Sequence, residues 1–347
     1  MKKNGFYKFR LIPLCLSFLL LYATALWSAE PTVYVIGYET EYGEVLSWTN
    51  GSKKYLTGLP NEVYSFSIYN GKLYVMGCSK NKNPCYWIDG VIKEIQLEKS
   101  TEWVAIGGVF STVISNGKLY AFGWTTGCVP EGCGPGSYSL WVDGVEKKRS
   151  EFSNYEITEA EEGPGINQFT VVNDKLYMTV SDYDSSWKKS VSYFVDGKKF
   201  KLSGTDVVTS DIAISSGKVY IAGRYKKAGY NRACFWADGK QVELAGGKAS
   251  RATSISVSKG KVYVSGYYYD TANKACYWVN GVKKDLEGGT ISGAVDDSAK
   301  LPITVYNDKV YIAGYYYEGK NKKACYWVDG KKVDLPGGVE AVAIEVQ

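Results

Sequence analysis

The chain has 347 residues, among them 30 tyrosines, 10 tryptophans and 38 glycines, with a formal net charge of +5. Aromatic residues favour strands and glycine supplies turns, so the composition points to an all-β chain of one large or two ordinary domains. Histidine is absent, which excludes His-based triads, His general bases and the common His-ligated zinc or iron sites.

The N-terminus reads as an address. Lys2, Lys3, Lys8 and Arg10 precede a largely apolar run from Leu11 to Leu26, with small residues for cleavage after Ala25 or, as a second site, Ala29. That is the pattern of a secretory signal peptide over residues 1–29, leaving 30–347 as one mature domain. An uncleaved anchor is the weaker reading, because the apolar run is short for a span. Cys15 raises lipid anchoring as a minority alternative, opposed by the bulky Leu14 before it. The signal carries four cations and no anion, so the mature chain balances 37 cations against 36 anions. Near-neutrality gives no bulk attraction to nucleic acid or anionic lipid. The expected location is secreted, periplasmic or cell-surface, with no membrane span after cleavage.

Beyond the signal the chain repeats. The pattern (G/D)-K-(V/L)-Y occurs at Gly71, Gly117, Asp174, Gly217, Gly260 and Asp308, and five of these continue x-x-G. A partial copy, Thr32 to Gly37, opens the mature chain. An aromatic-x-(D/N)-G pattern follows each copy, beginning at Trp48, Trp87, Trp141, Phe194, Trp236, Trp278 and Trp327. Two independent patterns therefore count seven units.

The unit from Ala252 to Gly289 shows the physics. Ser254–Val257 reads as a strand, Lys259-Gly260 as a turn, Lys261–Tyr269 as a second strand and Ala275–Val279 as a third. Asn280-Gly281 supplies the positive-φ pair of a two-residue hairpin into a polar fourth strand, Val282–Leu286. Sequential four-stranded antiparallel units at this period specify a seven-bladed β-propeller. The first unit lacks its opening strand, and the C-terminal segment Val339–Val346 resembles an opening strand with no successor. Pairing that segment with the three N-terminal strands closes the ring and hides both edges. An open solenoid would need caps and gives no reason for complementary half-units.

The cysteines sort by place. Cys128 and Cys133 share one loop inserted in the third unit and are candidates for a local disulfide, as are Cys78 and Cys85, which flank a hairpin loop. Cys85, Cys234, Cys276 and Cys325 recur at one repeat position and read as small buried residues. No metal site or cofactor is expected.

At Ala275-Cys276-Tyr277-Trp278-Val279-Asn280-Gly281, followed by Leu286-Glu287-Gly288-Gly289, the unit resembles extracellular HAF-type propeller repeats. Its tyrosine-rich G-K-V-Y-V-x-G-Y core is similar to repeats of uncharacterised secreted or surface proteins of spirochaetes. The histidine of the HAF pattern is missing, with Lys274 or Lys323 in its approximate place. The resemblance covers nearly all of 32–347. It implies fold and export and carries no catalytic residues.

The D/N-G acids (Asp89, Asp143, Asp196, Asp238 and Asp329) read as turn chemistry rather than a cation ring, since Asn50 and Asn280 substitute for them. The recurrent tryptophans read as packing between blades. The loops between second and third strands are the functional candidates, because propeller topology brings them to one face with the links between blades. They contribute Tyr225, Tyr230, Arg232, Tyr183, Trp187, Tyr268, Tyr269, Tyr316 and Tyr317. Aromatic platforms with polar rims suit a protein or glycan ligand of the envelope or host. The expectation is a non-catalytic binding scaffold. Its rivals are a structural envelope component and a propeller glycosidase or polysaccharide lyase, the latter drawing acids from Glu161, Glu162, Asp296 and Asp297.

Overall fold

The computed structural model describes residues 30–40, 43–60, 62–80, 84–95, 104–129, 132–133, 137–147, 165–183, 189–291 and 299–347. At 62, 104–110, 124–129, 132–133, 137–138, 165–166, 182–183 and 291 only the backbone is described. The signal segment and Cys15 lie outside these residues. Among the described residues no helix is long and apolar enough to cross a membrane.

Val33–Gln347 form a propeller of seven antiparallel blades. Blade one is built from both ends of the chain. Glu340–Val346 is its inner strand, pairing with Val33–Tyr38, which is followed outward by Val45–Thr49 and Ser52–Tyr55. The predicted closure by the C-terminal strand is therefore observed. Blade three carries one strand more than expected, because Gly132–Cys133 folds back on the long second strand Lys118–Val129. Blade six runs longer than the sequence suggests: its inner strand is Ala249–Ser258 and its third is Asn273–Val279.

A bulge accompanies the extension and, in blades five and six, falls opposite the repeated glycine; blade four bulges at the same place opposite Val180. In blade six the inner strand slips register between Ala252 and Ser254, and blade five does the same between Thr209 and Asp211. The extra residue pushes a carbonyl onto the neighbouring strand. A Cβ on Gly266 would stand 2.0 Å from the Arg251 carbonyl oxygen, and one on Gly223 would stand 2.1 Å from that of Val208. Only glycine fits there.

The apolar residues form seven clusters, each shared by two consecutive blades. The core is thus a set of seams, and a strand buried on both faces reads apolar throughout. Trp48, Trp236, Trp278 and Trp327 are each at most 1% exposed in these seams. Their indole N–H groups donate across the seam to Pro336 (3.2 Å), Ser203 (2.9 Å), Ala245 (2.6 Å) and Glu287 (2.8 Å) carbonyls. In each case the acceptor directly follows a leucine at the end of the preceding blade. The tryptophans latch blade to blade.

The D/N-G pairs take positive φ at both residues, from Asn50 (48°) and Gly51 (80°) to Asp329 (49°) and Gly330 (86°). The side chain does a second job. Asp143, Asp238, Asn280 and Asp329 each accept, through Oδ1 at 2.9 Å, the amide of a residue on the second strand. Asp and Asn both present that oxygen, so the two interchange. The acids are scaffold.

Candidate functional site

One face of the ring collects the tips of the second-to-third-strand hairpins and the links between blades. The hairpins differ in height. Measured from the repeat glycine, pairing runs four residues past Gly223 and Gly314 and three past Gly266. In blades one and two it stops one residue past Gly37 and Gly77, at Tyr38 and Cys78. The rim is therefore notched over blade one. A cleft of about 880 Å³ opens in that notch, bounded by the taller hairpin of blade seven.

Each wall has a distinct origin. Tyr38 and Glu44 come from the short hairpin, Tyr55 to Pro60 from the link to blade two, Tyr315 and Lys322 from blade seven, and Glu340 from the closing strand. Val45, Leu56, Leu59, Val63 and Val339 add apolar wall, and Thr40 and Thr57 add hydroxyls, so the surface is mixed. Lys322 Nζ lies 2.6 Å from Glu340 Oε2 and 4.1 Å from the centre of the Tyr315 ring. Burial, helped by the Glu340 charge, raises the Tyr38 phenol above its ordinary value. The same two causes, with Tyr315 added, act more strongly on Tyr267 next to the cleft. These tyrosines stay neutral donors. At the outer lip the Tyr55 hydroxyl donates to Glu39 Oε1 at 2.5 Å, and this bond together with Lys53 holds the Glu39 carboxyl below its usual range. The arrangement offers aromatic and apolar surface, phenol donors, one engaged ion pair and the exposed Glu44.

The candidates named from sequence are dispersed around the ring. Tyr268 is 4% exposed in the seam of blades five and six, and Tyr316 is 6% exposed in that of blades six and seven. A lysine ammonium, from Lys283 and Lys332 respectively, sits 3.4 Å over each ring. Neither is an open platform, because alternation sends successive tyrosines into opposite seams. Tyr269 (43%) and Tyr230 (53%) are exposed, and Tyr317 is half-buried. Tyr225 donates to Glu243 at 2.6 Å, and Arg232 donates to the Gly247 carbonyl at 2.7 Å. Tyr183 is described in backbone only. Trp187, Glu161, Glu162, Asp296 and Asp297 lie outside the described residues.

Cys78 and Cys85 are not bonded to each other; both are free and buried. Cys78 opposes Pro84 while Cys85 opposes Gly77, so their side chains leave opposite faces of the blade. Cys128 and Cys133 do stand directly opposite in register; their side chains lie outside those described. Among the described residues no His/Cys/Asp/Glu group could hold a metal ion.

A second cavity, of about 370 Å³, follows the axis and is lined by residues from all seven blades. Its polar groups largely satisfy one another. Ser67 and Thr112 hydroxyls are 3.0 Å apart, and Asp211 accepts from the Ser254 hydroxyl at 2.6 Å and the Ile255 amide at 2.9 Å.

The cleft residues were missed at sequence level, although a signal existed. The spacing from repeat glycine to blade aromatic is 13 residues in blades five and seven and 12 in blade six, but 11 in blade one and 10 in blade two. Short spacing means a low hairpin.

The chain matches no protein-family model and no curated protein. Among solved structures it is similar to the β-propeller domain of the Trilobed protease from Pyrococcus furiosus, at 14% identity and TM-score 0.51 over 88% of this chain and 94% of that one. A mutant Trypanosoma rangeli sialidase displaying trans-sialidase activity aligns at 11% identity and TM-score 0.42, over 88% of this chain and 57% of that one. An extracellular domain from B. thetaiotaomicron aligns at 9% and 0.40, over 82% and 37%. The chain thus spans little more than half of the second protein and just over a third of the third. At these identities the likeness is one of fold alone.

Proposed function

We propose that the protein is an exported binding scaffold that captures a protein or glycan ligand on its loop-rich face. The observation that carries this reading is the cleft over blade one. Its volume of about 880 Å³ lies within the range of small-ligand sites, and its walls combine apolar surface with a few converging polar groups. Export rests on the N-terminal signal pattern. The hydrolase reading draws on Glu44 and Glu340, which both line the cleft. Against it, Glu340 is already engaged by Lys322 in a half-buried pair, an arrangement that braces blade seven against blade one.

A glycan array and an envelope pull-down with the mature domain test the proposal. Binding is expected, and Tyr38→Ala together with Glu44→Gln should weaken it at least tenfold. Undiminished binding by a folded double variant would remove the cleft as the site. Turnover of a bound glycan, lost in Glu340→Gln, would replace the scaffold reading with the hydrolase.

A further inference from the structure

Two indole N–H groups depart from the rest: among the described residues neither Trp87 nor Trp141, both buried, has a hydrogen-bond partner at Nε1. Where the described residues include a blade tryptophan and its preceding link, four seams share one arrangement. Leu202, Leu244, Leu286 and Leu335 are 1–4% exposed, and the next carbonyl accepts the indole N–H. The link before Trp141 lies outside the described residues, and blade four carries Phe194 in the tryptophan's place. Between blades one and two the equivalent leucine, Leu56, is only half-buried. Trp87 is 4% exposed, yet its Nε1 has no hydrogen-bond partner. The nitrogen lies near the link, 3.9 Å from where a Cβ on Gly58 would stand.

A cavity of about 440 Å³ occupies this seam. Ile36, Trp48, Leu56, Ile68, Leu73 and Trp87 supply apolar walls. Two exposed charged residues, Lys54 and Asp89, also line it. A buried donor without an acceptor costs about 1–3 kcal/mol, and the cavity, open to solvent beside the exposed Thr49, Lys54, Tyr55 and Thr57, leaves apolar wall in contact with water. Both costs fall on the same few residues.

We propose that the seam between blades one and two is a second binding site, for a small apolar molecule carrying a carbonyl or carboxylate oxygen. The molecule's apolar body fills the cavity, and its oxygen accepts the Trp87 N–H, a donor that in four other seams goes to a link carbonyl. The site is separate from the candidate cleft in its walls, although Tyr55, Leu56 and Thr57 border both.

The probes are octanoate, methyl octanoate and octylamine, measured by calorimetry against the mature protein. Binding of octanoate, of its methyl ester or of both is expected, with octylamine excluded because it offers no acceptor oxygen. Octanoate alone identifies an acid and the ester alone a neutral carbonyl compound. Trp87→Phe keeps the shape and removes the donor, so affinity should fall about 3–10-fold. Ser47→Phe, at an intermediate-exposure position lining the cavity, should block every probe and covers the case in which Trp87→Phe does not fold. The proposal is overturned if no probe binds, if octylamine binds as well as octanoate, or if Ser47→Phe leaves affinity unchanged. A crystal structure with only a water bridging the indole to the link would overturn it too.

Discussion

The ammonium of Lys283 stands 3.4 Å from the centre of the Tyr268 ring, capping a side chain that is only 4% exposed. The tyrosine runs of the tall hairpins are thus part of the joints between blades. Tyr268→Ala should cost about 3–5 kcal/mol of stability, as for other buried aromatic truncations, while Tyr268→Phe keeps most of it. Urea denaturation distinguishes the two. Ligand capture per folded molecule should be unchanged in both, and a selective loss of binding at wild-type stability would return Tyr268 to the site.

Gly266→Ala brings a Cβ to 2.0 Å from the Arg251 carbonyl oxygen, a backbone group that cannot swing away. Gly281→Ala meets nothing within 4 Å and suffers only from its φ of 84°. The first variant should lose several times the roughly 1 kcal/mol expected of the second. Equal melting temperatures for the pair would show that the bulge gives way.

The described thiols should be inert in the native state. Cys78, Cys85, Cys234, Cys276 and Cys325 are free and buried, and burial pushes the Cys85 thiol up to about 11. A thiolate is the reactive form. Mass spectrometry after alkylation of folded protein should find these five unmodified, and all five modified in denaturant without reductant. A Cys78–Cys85 crosslink in the denatured sample would contradict the register.

Burial raises the Asp211 carboxyl above the ordinary carboxylate value, against the opposing donation of Ser254, Ile255 and Ile212. An acid that holds its proton more tightly when folded stabilises the fold fully below the unfolded pKa, and this contribution is lost as pH rises through the folded value. Asp211→Ala strands the Ser254 and Ile255 donors and should be less stable throughout. Its deficit relative to wild type should shrink as pH rises above the ordinary carboxylate range. Thermal melts across that rise read the trend, and a widening deficit would reverse the assignment.

The ring was legible because its devices are local. Asn280-Gly281 specifies a hairpin, Trp278 recurs with the period, and the half-units at Val33 and Glu340 complement each other. The cleft was not legible in the same way, since no single residue encodes it. Tyr38 and Glu340 are register partners within blade one, but they line a cleft only because two hairpins are low beside a tall one, a relation among blades. The tyrosines misled for a related reason: Tyr267 and Tyr268 look alike in sequence, yet pleating sends one toward blade seven and the other toward blade five. Only a residue at a hairpin tip, such as Tyr269, escapes both neighbours.

The closing strand also fixes an order of events during synthesis. Tyr38 pairs with Glu340, so the edge of the Val33–Tyr38 strand has no partner until about 300 further residues have been made. At about 5–20 residues per second that interval is about 15–60 s. For all of it the first-made strands present an open edge that later blades of similar sequence could capture. The ring can close only once Glu340–Val346 has been made and is free to pair with Val33–Tyr38.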